Sequence, residues 1–163
     1  TCAPYNIAYI QPMSAATWKA YTHACELPAG QPCVWLAGVD DKSWAGLPLP
    51  FDLTPLGAPG CTLYVAALFT LAGTADATGR FQNSTYPLVF PKDPALGGFS
   101  LFSQVAGVDP AKPGLPIVFT DKSEVPIPFP ATGICRVYTQ GDDAALMGSV
   151  GLDFGLVTRV TGL

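Results

Sequence analysis

Seventeen prolines and seventeen glycines are spread through 163 residues, and this punctuation limits the fold more than any other feature of the chain. Proline removes the backbone donor that a helix interior needs, and glycine loses the most conformational freedom on ordering, so the breaks leave little room for long helices. Between them lie short apolar runs rich in Val, Ile, Phe, Tyr, Thr and Leu, which suit a pleated, half-buried surface. The runs predict strands near residues 5–10, 33–39, 61–71, 80–90, 99–108, 115–120, 125–129, 134–140 and 155–161. About nine strands joined by turn chemistry predict an all-β chain folded as a two-sheet β-sandwich of jelly-roll-like topology. Ser14 to Cys25 reads two ways. Ser14 suits the cap of a short helix, whereas Trp18, Ala20, Thr22 and Ala24 would line one face of a strand, and the alternation favours the strand.

The length fits a single domain over residues 1–163. Although 49% of the residues are hydrophobic, no apolar run approaches the roughly 20 residues that cross a bilayer, so no membrane span is expected and the domain is read as soluble. Eight basic residues are scattered singly and the net charge is −4, which leaves no stripe for nucleic acid. Two segments extend beyond the compact middle. Residues 1–12 form an extended arm in which Tyr5, Ile7, Tyr9 and Ile10 belong to an alternating run bracketed by Pro4 and Pro12, suited to pairing within the chain or with another copy. Residues 131–163 form a terminal hairpin extension, with 134–138 and 156–160 as partner strands around the polar loop at Asp142 and Asp143.

Five cysteines, Cys2, Cys25, Cys33, Cys61 and Cys135, have no metal-ligand spacing and point to disulfides in an oxidising compartment. The opening Thr1-Cys2 is what a removed signal sequence would leave, so a secreted, cell-surface location is expected. Cys25 and Cys33 flank a short Pro/Gly loop and suit a local bridge. Cys61 and Cys135 suit a second, leaving Cys2 spare for an intermolecular bond, although an odd count allows fifteen such arrangements.

The stretches Gly46-Leu47-Pro48-Leu49-Pro50-Phe51-Asp52-Leu53, Leu56-Gly57-Ala58-Pro59-Gly60-Cys61-Thr62-Leu63, Leu88-Val89-Phe90-Pro91-Lys92-Asp93-Pro94-Ala95-Leu96 and Phe99-Ser100-Leu101-Phe102-Ser103-Gln104 carry a resemblance. From about Cys33 to Phe129 the chain resembles a secreted β-sandwich domain common in planctomycetes and similar environmental bacteria. The resemblance implies secretion and a sandwich fold, and it supplies no catalytic residues.

The residues that carry chemistry elsewhere are sparse here. His23 is the one histidine, and no Gly-x-Ser-x-Gly elbow accompanies it, so a surface or boundary histidine is the simpler reading. No zinc spacing or cofactor motif is present. Asp40-Asp41 and Asp142-Asp143 could gather oxygen ligands for calcium, although adjacent aspartates are more commonly solvated turn residues. Paired acids for glycoside hydrolysis cannot be established from linear order. Trp44 lies among polar residues, as a sugar-stacking platform requires, against the plainer reading that it plugs one end of the sandwich. Asn83-Ser84-Thr85 fits the N-glycosylation pattern.

These features favour a non-enzymatic extracellular structural protein, a self-assembling fibre or surface-matrix subunit that works by β-strand addition through its arm. Its expected partners are further copies of itself. The alternative is a carbohydrate-binding module or adhesin domain, with polysaccharide as partner and Trp44 as platform.

Overall fold

The computed structural model describes residues 4–129, together with the backbone of residues 135–138 and 149–152. In chain order these form β1 (Tyr5–Pro12), β2 (Thr17–Cys25), β3 (Pro32–Gly38), β4 (Ser43–Trp44), β5 (Leu47–Pro48), β6 (Phe51–Asp52), β7 (Thr62–Leu63), β8 (Phe69–Thr74), β9 (Phe81–Gln82), β10 (Leu88–Pro91), β11 (Ser100–Val108), β12 (Ile117–Phe119), β13 (Ser123–Pro126), β14 (Cys135–Tyr138) and β15 (Ser149–Leu152). Single 3-10 turns lie at Thr54–Leu56 and Pro94–Leu96. The chain is all-β, as its punctuation predicts. No helix among the described residues is long and apolar enough to cross a membrane.

Two antiparallel sheets pack face to face. In the first, β1 pairs one side of β2, while β9 and β10 share the other. In the second the order is β8, β3, β11, with β12 and β13 sharing the far side of β11. Their facing sides bury Ala20 and Ala24 from β2 against Trp35 and Ala37 from β3 and Leu101 and Val105 from β11. The ambiguous segment at Ser14 to Cys25 resolves as a strand because Trp18, Ala20, Thr22 and Ala24 all turn inward, a period-2 burial that a helix cannot produce.

The second sheet is covered on its outer side as well. The connection from Val39 to Leu68 folds back so that Leu49, Leu53, Ala58 and Leu63 bury Leu36, Ile117 and Phe119. Burial on both faces explains why residues 101–105 of β11 are buried without alternation.

A buried polar network ties the sheets together. Asn6 on β1 donates through Nδ2 to the Ser103 hydroxyl at 3.0 Å, and the Trp35 indole donates to the same oxygen at 2.8 Å. Thr22 donates its hydroxyl to Asn6 Oδ1. Buried polar groups are costly unless satisfied, and the described buried side chains have partners throughout. The network therefore fixes β1 to β2 and to both central strands of the second sheet.

The predicted strands at 61–71 and 80–90 are each interrupted, for one shared reason. Gln104, fully buried on β11, accepts the Tyr64 N–H at 3.0 Å and donates to the Thr62 and Thr120 carbonyls. Asn83 accepts the Thr22 N–H at 2.8 Å and donates to the Ala20 carbonyl, standing where a neighbouring strand would otherwise pair. At both places a side-chain amide replaces a ladder rung. A C-terminal hairpin is present in which Cys135–Tyr138 pairs with Ser149–Leu152, in register from Cys135↔Leu152 to Tyr138↔Ser149, where the sequence suggested 156–160 as the partner. The expected strand at 155–161 lies outside the described residues.

Candidate functional site

The two long sides of the sandwich are built differently. On the β1 side the sheets are stitched together. The Ala8 N–H, turned away from β2, donates to the Ser123 hydroxyl of β13 at 3.0 Å, and the Asp121 N–H donates to the Pro4 carbonyl. Pro4 and Pro12 bracket β1, while β13 carries Glu124 and Pro126. Prolines and charges of this kind stop an edge from recruiting another strand.

On the opposite side β10 is likewise bracketed, by Pro87 and Pro91, but β8 lacks these devices. Among the described residues, β8 and β10 have no partner on their outer edges. The β8 sequence, Phe-Thr-Leu-Ala-Gly-Thr, contains no charge and no proline. The Gln31 and Ala37 carbonyls accept from Ala75 and Leu68, so by alternation Thr70, Ala72 and Thr74 direct their backbone groups to the free edge. Between the two edges the sheets part around a cavity of about 180 Å³. Its lining is wholly apolar and includes Leu68 and Phe69 from the β8 side, Leu88 and Phe90 from β10, and Leu96 and Leu101. Two of its lining side chains are large, apolar and exposed, Val39 and Leu68, the latter at 77% exposure. The Phe129 ring lies over Gly97, next to the lining residue Leu96. Contiguous exposed apolar surface of this sort marks an interaction site.

The residues expected to form an arm outside the body are instead a complete strand, paired with β2 from Tyr5↔Cys25 to Pro12↔Trp18. Its inward positions, Asn6 and Ala8, are buried, while Tyr5 and Ile7 are exposed on the outer face of the first sheet. On that face the Tyr9 ring stacks on Tyr21 with centroids 5.1 Å apart, and His23 tilts onto it at 5.6 Å. His23 Nε2 lies 3.4 Å from the Tyr9 hydroxyl. Ile10 turns to the core.

Three of the five cysteines are described, and all three are free thiols. This overturns the expected Cys25–Cys33 bridge. Cys33 points into the core from the second sheet, whereas Cys25 lies on the outer face of the first, opposite Tyr5. Burial pushes the Cys33 thiol up to about 11, which leaves it unreactive. The Cys25 thiol, through its hydrogen bond, is the main influence raising the Tyr5 phenol. Cys61 is likewise free, its Sγ donating to the Ile117 carbonyl and lying 3.7 Å from Lys112 Nζ. Cys2 and the side chain of Cys135 lie outside the described residues.

Asn83 is 97% withdrawn from solvent, at 3% exposure, with both ends of its amide bonded. It offers no glycan acceptor in the folded protein, and the expectation of glycosylation there is corrected. Trp44 does not plug the sandwich. It is 42% exposed on the β4–β5 hairpin, paired with Leu47. Asp40 and Asp41 are engaged by protein donors. Asp40 accepts the Lys42 N–H at 2.7 Å and the Ser43 hydroxyl. Asp41 pairs with Lys122, whose ammonium also sits 4.9 Å over the Phe102 ring. No group of three potential metal ligands occurs among the described residues. Asp142 and Asp143 lie outside them.

The hydrogen bond from Lys122 holds the Asp41 carboxyl below its ordinary range, against the opposing effect of desolvation. A depressed carboxylate contributes stability above its unfolded pKa, near 3.9, and loses it as pH falls through the folded value. Asp41→Asn should therefore be less stable than wild type at pH 7, and the gap in urea midpoint should close as the pH is lowered toward 2. A gap independent of pH would remove the Lys122 pair as its source.

Comparison with protein-family models, curated proteins and solved structures finds no match for the chain.

Proposed function

We propose that the protein is a non-enzymatic, extracellular structural subunit that assembles with copies of itself by β-strand addition. The observation that supports this most directly is the contrast between the β1 side and the β8 edge. The β1 side carries proline, charge and a side-chain cap, while six residues of β8 present an uncharged edge beside an apolar cleft. An edge of that kind recruits a strand. With β1 already built into the first sheet, the assembly role passes from the N-terminal segment to the β8 side. The resemblance to secreted domains and the low charge of 12% suit a durable extracellular assembly, although the three described cysteines contribute no disulfide.

Ala72→Pro tests this reading. Proline is tolerated where the N–H faces away from the sheet, and it deletes the central donor of the β8 edge. Light scattering and negative-stain microscopy should find filaments or sheets for the native chain. The variant should be a monomer with an unchanged circular dichroism spectrum. A native chain that stays monomeric at every concentration would end the proposal.

A carbohydrate-binding module is the second reading, favoured by the Tyr9–Tyr21 stack and by exposed Trp44. Aromatic faces stack on the apolar faces of sugar rings. On this reading Trp44→Ala or Tyr21→Ala lowers retention on insoluble polysaccharide at least tenfold, with the oligomeric state unchanged. Equal retention of native and variant chains would dismiss both platforms.

A further inference from the structure

We propose that Tyr9 and Tyr21 form a modification site, at which a one-electron oxidant couples the two rings through their ortho carbons into a dityrosine that joins β1 to β2. The inference goes beyond the self-assembly reading and does not depend on it. The two tyrosines are direct partners in the β1–β2 register and share the outer face of the first sheet. Side chains opposite each other across an antiparallel pair are held within contact distance by the backbone itself. Here the ring centroids lie 5.1 Å apart and the planes are 17° from parallel. The strands beneath are anchored next to both rings. The Ala8 N–H, beside Tyr9, donates to the Ser123 hydroxyl, and the Thr22 N–H, beside Tyr21, donates to Asn83 Oδ1. The pair therefore has little freedom to separate.

Oxidation of a phenol to its radical removes an electron and a proton, and the structure supplies an acceptor for the proton at one ring. His23 Nε2 lies 3.4 Å from the Tyr9 hydroxyl, and the His23 ring tilts onto the Tyr9 ring at 5.6 Å. With its own proton on Nδ1, the imidazole takes the Tyr9 proton through Nε2 while the electron passes to the oxidant. Tyr21, half-buried, gives its electron to a second equivalent of oxidant and its proton to water. The two phenoxyl radicals pair their electrons in one carbon–carbon bond between ortho carbons. The hydrogen on each of those carbons then moves to its own phenolic oxygen. In all the protein loses two hydrogen atoms, and with hydrogen peroxide as terminal oxidant they leave as two molecules of water. Coupling between rings already in contact is effectively unimolecular, so it outruns coupling between molecules. Tyr5 and Tyr86 are more exposed, at 43% and 71%, but neither has a second tyrosine ring stacked on it among the described residues. The Tyr5 phenol is instead hydrogen-bonded to the Cys25 thiol.

Photo-oxidation of the dilute full-length chain with tris(bipyridine)ruthenium and persulfate provides the test, because these small reagents need no docking surface. The intact monomer should lose the mass of two hydrogens and gain dityrosine fluorescence. Digestion should yield a peptide pair joined from Tyr9 to Tyr21, in an amount independent of protein concentration. Tyr9→Phe and Tyr21→Phe, with circular dichroism spectra unchanged, should each cut dityrosine within the monomer at least about tenfold. His23→Gln keeps the ring pair and removes the base, so the same product should form several-fold more slowly. A native rate in His23→Gln would overturn the part given to the histidine. Monomer dityrosine that maps to any other pair of tyrosines would overturn the site, and so would a native chain that forms none or couples only between molecules. The peptide map is read from the native chain, so it decides the matter even where a variant misfolds.

Discussion

Trp35→Ala is expected to remove about 3–5 kcal/mol of folding stability, the cost of deleting a large aromatic side chain from a packed core. Trp35 is fully buried at the centre of β3 and meets the Phe69 ring edge-on with centroids 5.6 Å apart. Its indole N–H also donates to Ser103, so the substitution opens a cavity beside a polar network. The network itself survives in part, because the Ser103 hydroxyl keeps Asn6 as a partner. Most of the loss is therefore packing, and Trp35→Phe should separate the two contributions. It retains most of the ring and forfeits the hydrogen bond, so it should cost nearer 1 kcal/mol. Urea unfolding of the three chains gives both numbers. Equal losses for Ala and Phe would mean that the hydrogen bond, and not the packing, dominates.

Gly38→Ala should be comparably damaging for a backbone reason. A Cβ at this position would lie 1.9 Å from the Ala66 carbonyl oxygen and 3.0 Å from its carbon. Backbone cannot swing aside as a flexible side chain does. The Ala66 segment is moreover held from both ends, by Ala66 N–H to the Asp40 carbonyl and Leu68 N–H to the Ala37 carbonyl, each at 3.0 Å. Overpacking typically costs 1–3 kcal/mol, and this site should reach about 3 kcal/mol. Gly30→Ala supplies the control. It has a φ of +69° and nothing within 4 Å of the added Cβ, so it isolates the conformational cost of about 1 kcal/mol. Unfolding midpoints that rank Gly38→Ala no worse than Gly30→Ala would remove the clash as a determinant. Because Gly38, Ala37 and Leu68 line the apolar cleft, Gly38→Ala should also widen its mouth and weaken assembly.

The strands themselves are written in local pattern, and so they were legible in the sequence. The alternation Trp18, Ala20, Thr22, Ala24 marks a face, and the run at 99–108 marks a central strand. The interruptions at 64–68 and 83–87 are not local. They depend on Gln104 and Asn83 reaching residues about 40 and 60 positions away to take the place of a backbone partner. The same distance effect hid the fate of the cysteines: Cys25 and Cys33 are eight residues apart in sequence, yet β2 and β3 turn them to different sides of the molecule. Asn83 matched a surface modification motif because the motif records residue types and not burial. The cleft was legible only in its parts. The apolar runs at 68–71 and 88–90 are plain, but that both end as sheet edges facing one hollow is a property of topology.

The bonds from Asn6 to Ser103 and from Ala8 to Ser123 span 97 and 115 residues, and this sets an order of events during synthesis. The β1–β2 hairpin can form as soon as Cys25 has emerged. Its inward face meets β3 early, but Asn6 and Ala8 lack their Ser103 and Ser123 partners until β11 and β13 follow. At 5–20 residues per second the wait is on the order of seconds, far longer than a hairpin takes to close. The earliest strand of the two sheets is thus among the last to be sealed, and its side of the core stays partly open until β11 and β13 are made. A factor that shields the early hairpin should therefore raise the yield of folded domain.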